Sequence, residues 1–463
     1  MKHIHLQDDT IAAISTSKGV GGIGIIRISG SKALNILEEI FQSPNTDFTI
    51  KSRIMNYGHI INPKTKDVLD EVLAVYMKAP TTYTGEDIVE INCHGGIVPL
   101  KNILKLIIDM GASPAEPGEF TKKAFLNGRL DLSQAEAVMD LISAKTDKTF
   151  TVAMSMLEGN FSKDIKALRQ EIADILVNLT VNIDYPDEDI EELTYSNIDE
   201  GLQNIFSKLE KMIKSSKGGK FLRDGFKVAI IGKPNVGKSS LMNRLLNENR
   251  AIVTEVPGTT RDTIEETLDI RGIPVVLTDT AGIRETDDIV EQIGIEKSKV
   301  AFNKADLVIF ILDASRDFDV EDREILEYAN PDKTIVLCNK TDLSRRISNE
   351  AVKTLGKSMK VINTSMEDGV GIEELKDEIE NMAGVLTSGS REDVVVTNLR
   401  HERLLDAAFK SIEDAIASTE ANEPLEFIEI DVNAAYGYLG EIIGEAVQGD
   451  IIDQVFSRFC LGK

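Results

Sequence analysis

At 463 residues the chain is too long for one hydrophobic core, and its 42% hydrophobic and 28% charged content is that of a folded, multidomain protein rather than a disordered one. Acidic side chains outnumber basic ones 77 to 52, and the resulting net charge of −25 excludes broad nonspecific nucleic-acid binding, so any RNA site must be a local basic patch. No apolar run approaches the ~20 residues of a membrane span, MKHIHLQDDT lacks a signal-peptide core, and the three cysteines and five histidines are spaced neither for disulfides nor for a metal, so a soluble cytoplasmic protein without a membrane partner is expected.

In chain order, residues 1 to about 118 carry β-type runs such as IAAIS and IGIIRIS, broken by Gly and Pro. Gly19-Val-Gly21-Gly-Ile-Gly24 satisfies the dinucleotide fingerprint, but IGIIRIS alternates like a strand where a helix is required, so no Rossmann site is expected. From about 119 to 222 apolar residues recur at helical spacing, as in SQAEAVMDLISAKT and LRQEIADILVNLTVNI. The acidic stretch NIDYPDEDIEE reads as a helix ending at Pro186 and a solvated run, not as a catalytic carboxylate pair. SSKGGKFLRDG reads as a linker. Strands and helices then alternate to about residue 384, the pattern of a parallel sheet with crossover helices. From NLRHERLLDAAFKSIEDA onwards the chain is helical again, which implies an α/β module inserted into a helical domain.

The module carries the strongest chemistry. FKVAIIGKPNVGKSSLMNRLL sets Gly232-x-x-x-x-Gly237-Lys238-Ser239 between an apolar strand (Val228–Ile231) and an amphipathic helix. In that context Asn235, Val236, Gly237, Lys238, Ser239 and Ser240 form a phosphate-binding loop, with Lys238 reaching the β/γ oxygens and Ser239 binding Mg²⁺. VVLTDTAG ends a second strand in Asp279-Thr280-Ala281-Gly282, where Asp279 acts near Mg²⁺ and the Gly282 amide senses the γ-phosphate. TIVLCNKTDL ends a third in Asn339-Lys340-Thr341-Asp342, whose carboxylate can accept from the guanine N1–H and exocyclic amine, a pair adenine cannot supply. All three, in order and at strand ends, make a GTP-binding module. VPGTTRDT adds Thr260 as a switch-loop ligand for Mg²⁺, within a covering stretch of Thr254, Glu255, Val256, Pro257, Gly258 and Thr259. INTSMEDG stands where a Ser-Ala-Lys guanine loop usually lies, and either Thr364 or Ser365 faces the base.

DTAGIRE breaks the Ras-like pattern. Ile283 occupies the position of the Gln that orients the attacking water, and it can neither donate nor accept a hydrogen bond. Phosphoryl transfer spreads negative charge over several oxygens, so another source of positive charge is required. Asn235 could ligate a monovalent cation beside the phosphates, with backbone carbonyls of AIVTEVPGTT completing the coordination.

Taken together, DTIAAISTSKGVGGIGIIRISG, PTTYTGEDIVEINCHGG, AEPGEFTKKAFLNGRLDLSQAEAV, the nucleotide motifs and the terminal FSRFCLGK resemble the MnmE/TrmE family of tRNA-uridine-modification GTPases, from end to end. The resemblance implies a multidomain α/β fold. Its parts would be a β-rich N-terminal tetrahydrofolate-binding and dimerisation domain (1–118), a discontinuous helical domain (119–222 and 385–463, ending in FCLGK) and an inserted Ras-like P-loop G domain (223–384). It implies potassium-stimulated GTP hydrolysis, with K⁺ held by the Asn235 side chain and by Thr254, Val256 and Thr259. Glu291 in DIVEQIG would be the water-orienting catalytic residue alongside Lys238. It also implies a 5-formyl- or 5,10-methylene-tetrahydrofolate held by Arg27, Glu90, Arg129 and Lys463, with Cys460 a candidate for a chemical role. The implied activity is addition of an aminomethyl or carboxymethylaminomethyl group to C5 of wobble uridine 34 in certain tRNAs. A homodimer would perform it with an FAD-dependent subunit of the GidA/MnmG type, as a heterotetramer or larger. Read without the resemblance, the same P-loop also suits a regulatory GTPase switch in ribosome assembly, which would need no folate pocket.

Overall fold

The alternation in IAAIS and IGIIRIS becomes two antiparallel strands, β1 (Ile11–Ile14) and β2 (Ile23–Ser29). The computed structural model describes residues 9–17, 19–45, 48–184, 195–249, 266–278, 305–348, 354–355, 358–384, 396–445 and 449–463. Its contacts divide the chain into one unit of Met1–Met139 with Gly440–Lys463 and another of Asp140–Leu439.

In the first unit the chain continues through α1 (Ala33–Ile40), β3 (Phe41–Gln42), β4 (Met55–Ile61), β5 (Val68–Met77), β6 (Ile88–His94), α2 (Ile97–Asp109), β7 (Ser113–Pro114) and α3 (Glu119–Leu126) to α4 (Leu132–Ser143). The strands form a sheet in the order β3-β4-β5-β6-β2-β1-β7. Ile26, Ile28, Val72, Ala74, Val89 and Ile91 share one core with Ile36, Leu37, Ile103 and Ile107 from α1 and α2. Burying each such side chain stabilises the fold by roughly 1.5–3 kcal/mol. Because side chains alternate along a strand, that burial sends the intervening Arg27 and Glu90 to the other face, and the β2–β6 register sets them directly opposite each other.

The second unit runs through α5 (Asp147–Leu157), α6 (Asn160–Asp184) and α7 (Tyr195–Asp224) into β8 (Phe226–Ile231), α8 (Lys238–Asn249), β9 (Glu266–Ile270), β10 (Ile273–Thr278) and β11 (Leu307–Asp313). It continues through α9 (Val320–Leu326), β12 (Thr334–Asn339), β13 (Lys360–Asn363), α10 (Ile372–Ala383), α11 (Leu399–Glu420) and α12 (Leu425–Ile443). Its sheet order is β13-β12-β11-β8-β10-β9, parallel except where β9 pairs antiparallel with β10. Every residue of β11 and β12 is buried, which is why LVIFILD and TIVLCN read as unbroken apolar runs and not as alternation. The helices on either side of the module pack together: α7 lies along α11, with Phe206 and Phe409 rings 4.3 Å apart.

One expectation is overturned. SSKGGKFLRDG is not a linker, because all of it up to Asp224 lies inside the 30-residue helix α7. Leu222 is buried in the core of the sheet beside Phe226, and the Phe221 ring meets Phe226 edge-on at 4.8 Å. That tertiary burial outweighs the helix penalty of about 1 kcal/mol for each of the two glycines, so the module is entered by a continuous helix.

The tail returns to the first unit as α13 (Gly449–Phe456). Phe456 packs between Phe125 and Phe459, with ring separations of 6.3 and 5.2 Å, and Lys122 on α3 pairs with Asp453 at 2.6 Å.

Candidate functional site

Strands β8, β10, β11 and β12 are parallel and end at Ile231, Thr278, Asp313 and Asn339, so one edge of the sheet collects their carboxyl ends, the usual place for a ligand in an open α/β sheet. Between β8 and α8 the loop 232–237 turns sharply, with Asn235 left-handed at φ 63°. Gly237 must be glycine: its φ is 110°, and a Cβ there would collide with Asn339 Nδ2. The first turn of α8 holds Lys238, Ser239 and Ser240, and its N–H groups and dipole favour phosphate. Lys238 Nζ donates to the Gly232 and Lys233 carbonyls at 2.6 and 2.7 Å, so the ammonium already stands inside the loop. The Lys233 side chain pairs with Asp319, with Glu321 at 3.2 Å and with Asp322 at 3.4 Å, which fastens the loop to the start of α9.

On the base side, Asn339 knots three segments. It is 2% exposed, donates Nδ2 to the Val236 carbonyl at 2.8 Å, and accepts at Oδ1 from Met366 N at 3.2 Å and the Thr364 hydroxyl at 3.4 Å. Thr341 donates both N and Oγ1 to the Thr364 carbonyl, at 3.2 and 3.0 Å. Lys340 Nζ donates to Asp313 Oδ2 at 2.7 Å. Burial works against the Asp313 carboxylate, but the Lys340 ammonium and the Ser315 donors outweigh it and hold its pKa below the usual range. Asp342 is exposed. Thr364 and Ser365 are both buried, and both hydroxyls are engaged by the protein itself, Thr364 to Asn339 and Ser365 to Asp368 at 3.0 Å. Thr254, Glu255, Val256, Pro257, Gly258, Thr259, Thr260, Asp279, Thr280, Ala281, Gly282, Ile283 and Glu291 lie outside the described residues.

The first unit gathers a second constellation. Arg27 directs Nε and Nη2 to Glu90 Oε1 at 2.9 and 2.7 Å and Nη1 to the Gly462 carbonyl at 3.4 Å. Ser15 Oγ donates to the same carbonyl at 3.2 Å, and Gly118 N donates to the Cys460 carbonyl at 3.3 Å. These bonds seat the tail on the end of β1 and the start of α3. The Arg27 guanidinium stands 5.6 Å from the ring centres of both Tyr83 and Phe120. Arg129 lies 5.0 Å over the same Tyr83 ring and donates Nη1 to the Tyr83 carbonyl at 2.9 Å. Thus Arg27 and Arg129 share the Tyr83 ring and Arg27 holds Glu90, while Lys463 is half-buried next to Gly462 and Cys460 is exposed. Two guanidiniums and a carboxylate beside aromatic faces suit a ligand with a flat, hydrogen-bonding ring and carboxylates.

Sequence reasoning missed Tyr83 and Phe120, and with them the scaffold that sets Tyr83. Lys123, 4% exposed, donates to both Glu86 oxygens and to the Asp9 carbonyl; Glu86 accepts from Ser29, and Ser29 bonds Thr84. Tyr83 OH meets Thr121 Oγ1 at 2.8 Å. The one available signal was a lone aromatic in the turn-rich PTTYTGED. Elsewhere, Cys93 and Cys338 are core residues whose burial pushes their thiols up, Cys93 to about 11. Among the described residues no group of His, Cys, Asp and Glu is arranged to hold a metal, and no helix is long and apolar enough to cross a membrane.

Residues 10–129 match the family described as GTP-binding protein TrmE N-terminus, and residues 132–460 match the MnmE helical domain. A tRNA modification GTPase MnmE of Alkaliphilus oremlandii is 49% identical over 458 residues, covering 98% of this chain and 99% of its own. The proteins of the same description from Alkaliphilus metalliredigens and Clostridioides difficile are each 50% identical over 458 residues, again covering 98% of this chain and 99% of theirs. With identity at this level along the whole chain, joined to a phosphate loop and a guanine motif at the carboxyl edge of a parallel sheet, the chain belongs to the MnmE family of tRNA modification GTPases, as a GTP hydrolase acting in tRNA modification.

Proposed function

We propose that GTP hydrolysis here serves the addition of an aminomethyl or carboxymethylaminomethyl group to C5 of the wobble uridine in certain tRNAs. The observation that carries this reading is the cluster of Arg27, Glu90, Tyr83 and Arg129, with Arg27 also bonded to the tail at Gly462, on a chain that also bears a phosphate loop. A regulatory switch has no need of such a cluster. Its donor set suits a 5-formyl- or 5,10-methylene-tetrahydrofolate: Glu90 for the pterin edge, and Arg129 and Lys463 for glutamate carboxylates. When bound, the folate would supply the one-carbon unit. Arg27 would hold Glu90 in orientation, and Tyr83 would offer a face for the ring.

In the module, the amides of residues 235–240, at the end of the loop and the start of α8, and Lys238 would neutralise the β/γ-phosphates, and Asp342 would read the guanine edge. Ser239 and Thr260 would hold Mg²⁺. The Asn235 side chain, with Thr254, Val256 and Thr259, would hold a K⁺ ion that supplies the positive charge an arginine provides in other GTPases. Glu291 takes the water-orienting role that Ile283 cannot fill. With Glu291 in that role, Glu291→Ala is expected to reduce turnover by about 10²-fold, and replacing potassium by sodium to reduce it comparably. Equal phosphate release in both salts, or from the variant, would remove this part of the reading.

The tRNA would be worked on by a homodimer joined through the N-terminal units, together with an FAD-dependent GidA/MnmG-type subunit that handles the redox chemistry. The deciding experiment is mass spectrometry of nucleosides in bulk tRNA from cells with and without the gene. Loss of the C5 aminomethyl-type wobble uridines is expected, and an unchanged nucleoside profile without a duplicate gene would reject the proposal.

A further inference from the structure

β11 is apolar from Leu307 to Leu312 and then ends in a carboxylate, Asp313, whose side chain is 3% exposed. Its register partner on β12 is Asn339, the residue that knots the phosphate loop to the base side. Asp313 Oδ1 accepts from Ser315 N at 2.9 Å and from the Ser315 hydroxyl at 2.6 Å, and Oδ2 accepts from Lys340 Nζ at 2.7 Å. Arg316, itself exposed, brings Nε to 3.5 Å from the same Oδ2. The strand end is fixed on both sides: Ala314 N donates to the Asn339 carbonyl at 2.8 Å, and the Ala314 carbonyl accepts from Arg346 N at 2.8 Å and Ile347 N at 3.2 Å.

A buried carboxylate is a poor device for stabilising a strand end, because an ion pair withdrawn from water is often no better than apolar side chains of the same volume. What the pair does supply is a fixed place for one ammonium. Lys340 leaves β12 in the left-handed region at φ 64°, uncommon for a residue other than glycine, and its side chain crosses to the end of β11. The four-carbon stem therefore runs across the carboxyl ends of two neighbouring strands, on the edge where the nucleotide motifs converge. Such a stem is apolar and packs along flat surfaces while its charged head stays with a polar partner. The Lys340 side chain is 29% exposed, so the stem keeps an open side.

We infer that Asp313 is a positioning residue for guanine nucleotide: by anchoring the Lys340 ammonium it holds the stem across the carboxyl edge, where the methylenes support one face of the purine ring. The inference rests on the reading of Asn339–Asp342 as the guanine site. Asp313 stays buried beneath the edge and touches no part of the nucleotide, so its effect passes wholly through Lys340.

The test is a double-mutant cycle on the full chain, read both as Kd for GDP by calorimetric titration and as Tm. Asp313→Asn keeps the volume and an oxygen for Ser315 but loses the charge, and is expected to weaken GDP about tenfold, the loss of a charge-assisted contact. Lys340→Met keeps most of the stem without the ammonium and should weaken GDP by a similar factor. Should the asparagine variant fail to fold, the methionine variant decides alone, and parent-like GDP affinity in it overturns the inference. In the double variant Kd should lie within about twofold of either single one. Losses that multiply, no loss from Asp313→Asn, or coupling seen in Tm but not in Kd would each overturn the positioning role. Asp342→Asn separates the guanine-site reading from it, since xanthine carries an acceptor where guanine carries the exocyclic amine. If that change does not shift preference from GDP to xanthosine 5′-diphosphate, the guanine-site reading fails and the inference with it. If preference shifts while the Asp313 and Lys340 variants bind GDP normally, only the role of Asp313 falls.

Discussion

GTP turnover by the Lys238→Ala protein is expected to fall by about 10²–10³-fold, the cost of removing one positioned charge from a phosphoryl-transfer site. The side chain is already in place: its ammonium is held by the Gly232 and Lys233 carbonyls inside the loop, at 2.6 and 2.7 Å. Moving to the β/γ oxygens of GTP exchanges two neutral acceptors for anionic ones, which strengthens the interaction as charge develops on the leaving group. GDP affinity should fall less than kcat, because the loop amides and the α8 terminus still hold the β-phosphate. Single-turnover phosphate release, run beside GDP titration, checks both numbers. A variant that lost GDP binding while kcat stayed unchanged would show that Lys238 acts in ground-state binding alone. Loss of secondary structure would be visible in circular dichroism and would disqualify the comparison, so Lys238→Arg, which keeps the charge in a different geometry, is measured alongside.

For Arg27→Met the expected loss is in the other unit and leaves the nucleotide chemistry alone. Arg27 contributes the two bonds to Glu90 and one to the tail at Gly462. Methionine fills the same volume between Tyr83 and Phe120 but leaves the Glu90 carboxylate unpartnered by its neighbour. The two side chains are 18% and 23% exposed, so solvent screens the pair and the damage to stability should stay near ~1 kcal/mol, far below that of a buried pair. Binding of 5-formyltetrahydrofolate should nevertheless weaken about 10–100-fold, since the orientation of Glu90 and the seat of the tail go together. Calorimetric titration with the folate, next to a GTP turnover assay, is the measurement. Unchanged folate affinity would remove Arg27 from the site, and a parallel loss of GTP turnover would mean that the variant is damaged generally. Arg27→Lys should behave more like the methionine variant than like the parent, because a single ammonium cannot bond Glu90 and the tail carbonyl in the same fork geometry.

The two sites were not equally legible. Gly232 through Ser239 and Asn339 through Asp342 are contiguous in the chain, and their geometry follows from local rules: an apolar strand, a glycine-dependent turn and a helix start. The alternation of IGIIRIS likewise separated a core face from the face that carries Arg27. The linker reading of SSKGGKFLRDG failed for a definite reason. Glycine and serine lower helix propensity locally, whereas the burial of Leu222 and the Phe221–Phe226 contact are formed with a sheet whose strands come later in the chain. The bond from Arg244 on α8 to the Met366 carbonyl spans 122 residues, and nothing within α8 announces it.

Sequence alone determined the phosphate loop, the Asn339–Asp342 segment at its strand end, the alternation of strands and helices in the module and the helical segments flanking it, because each is written in residues within a turn, a strand or a helix of one another. Tertiary structure decided the rest: that Arg27 would meet the carbonyl of Gly462 across 435 residues, that Tyr83 would bond Thr121 and carry Arg129 over its ring, and that α7 would run unbroken to the edge of β8. In each case the stabilisation comes from burial and from hydrogen bonds between distant segments, and those exist only once the chain has folded.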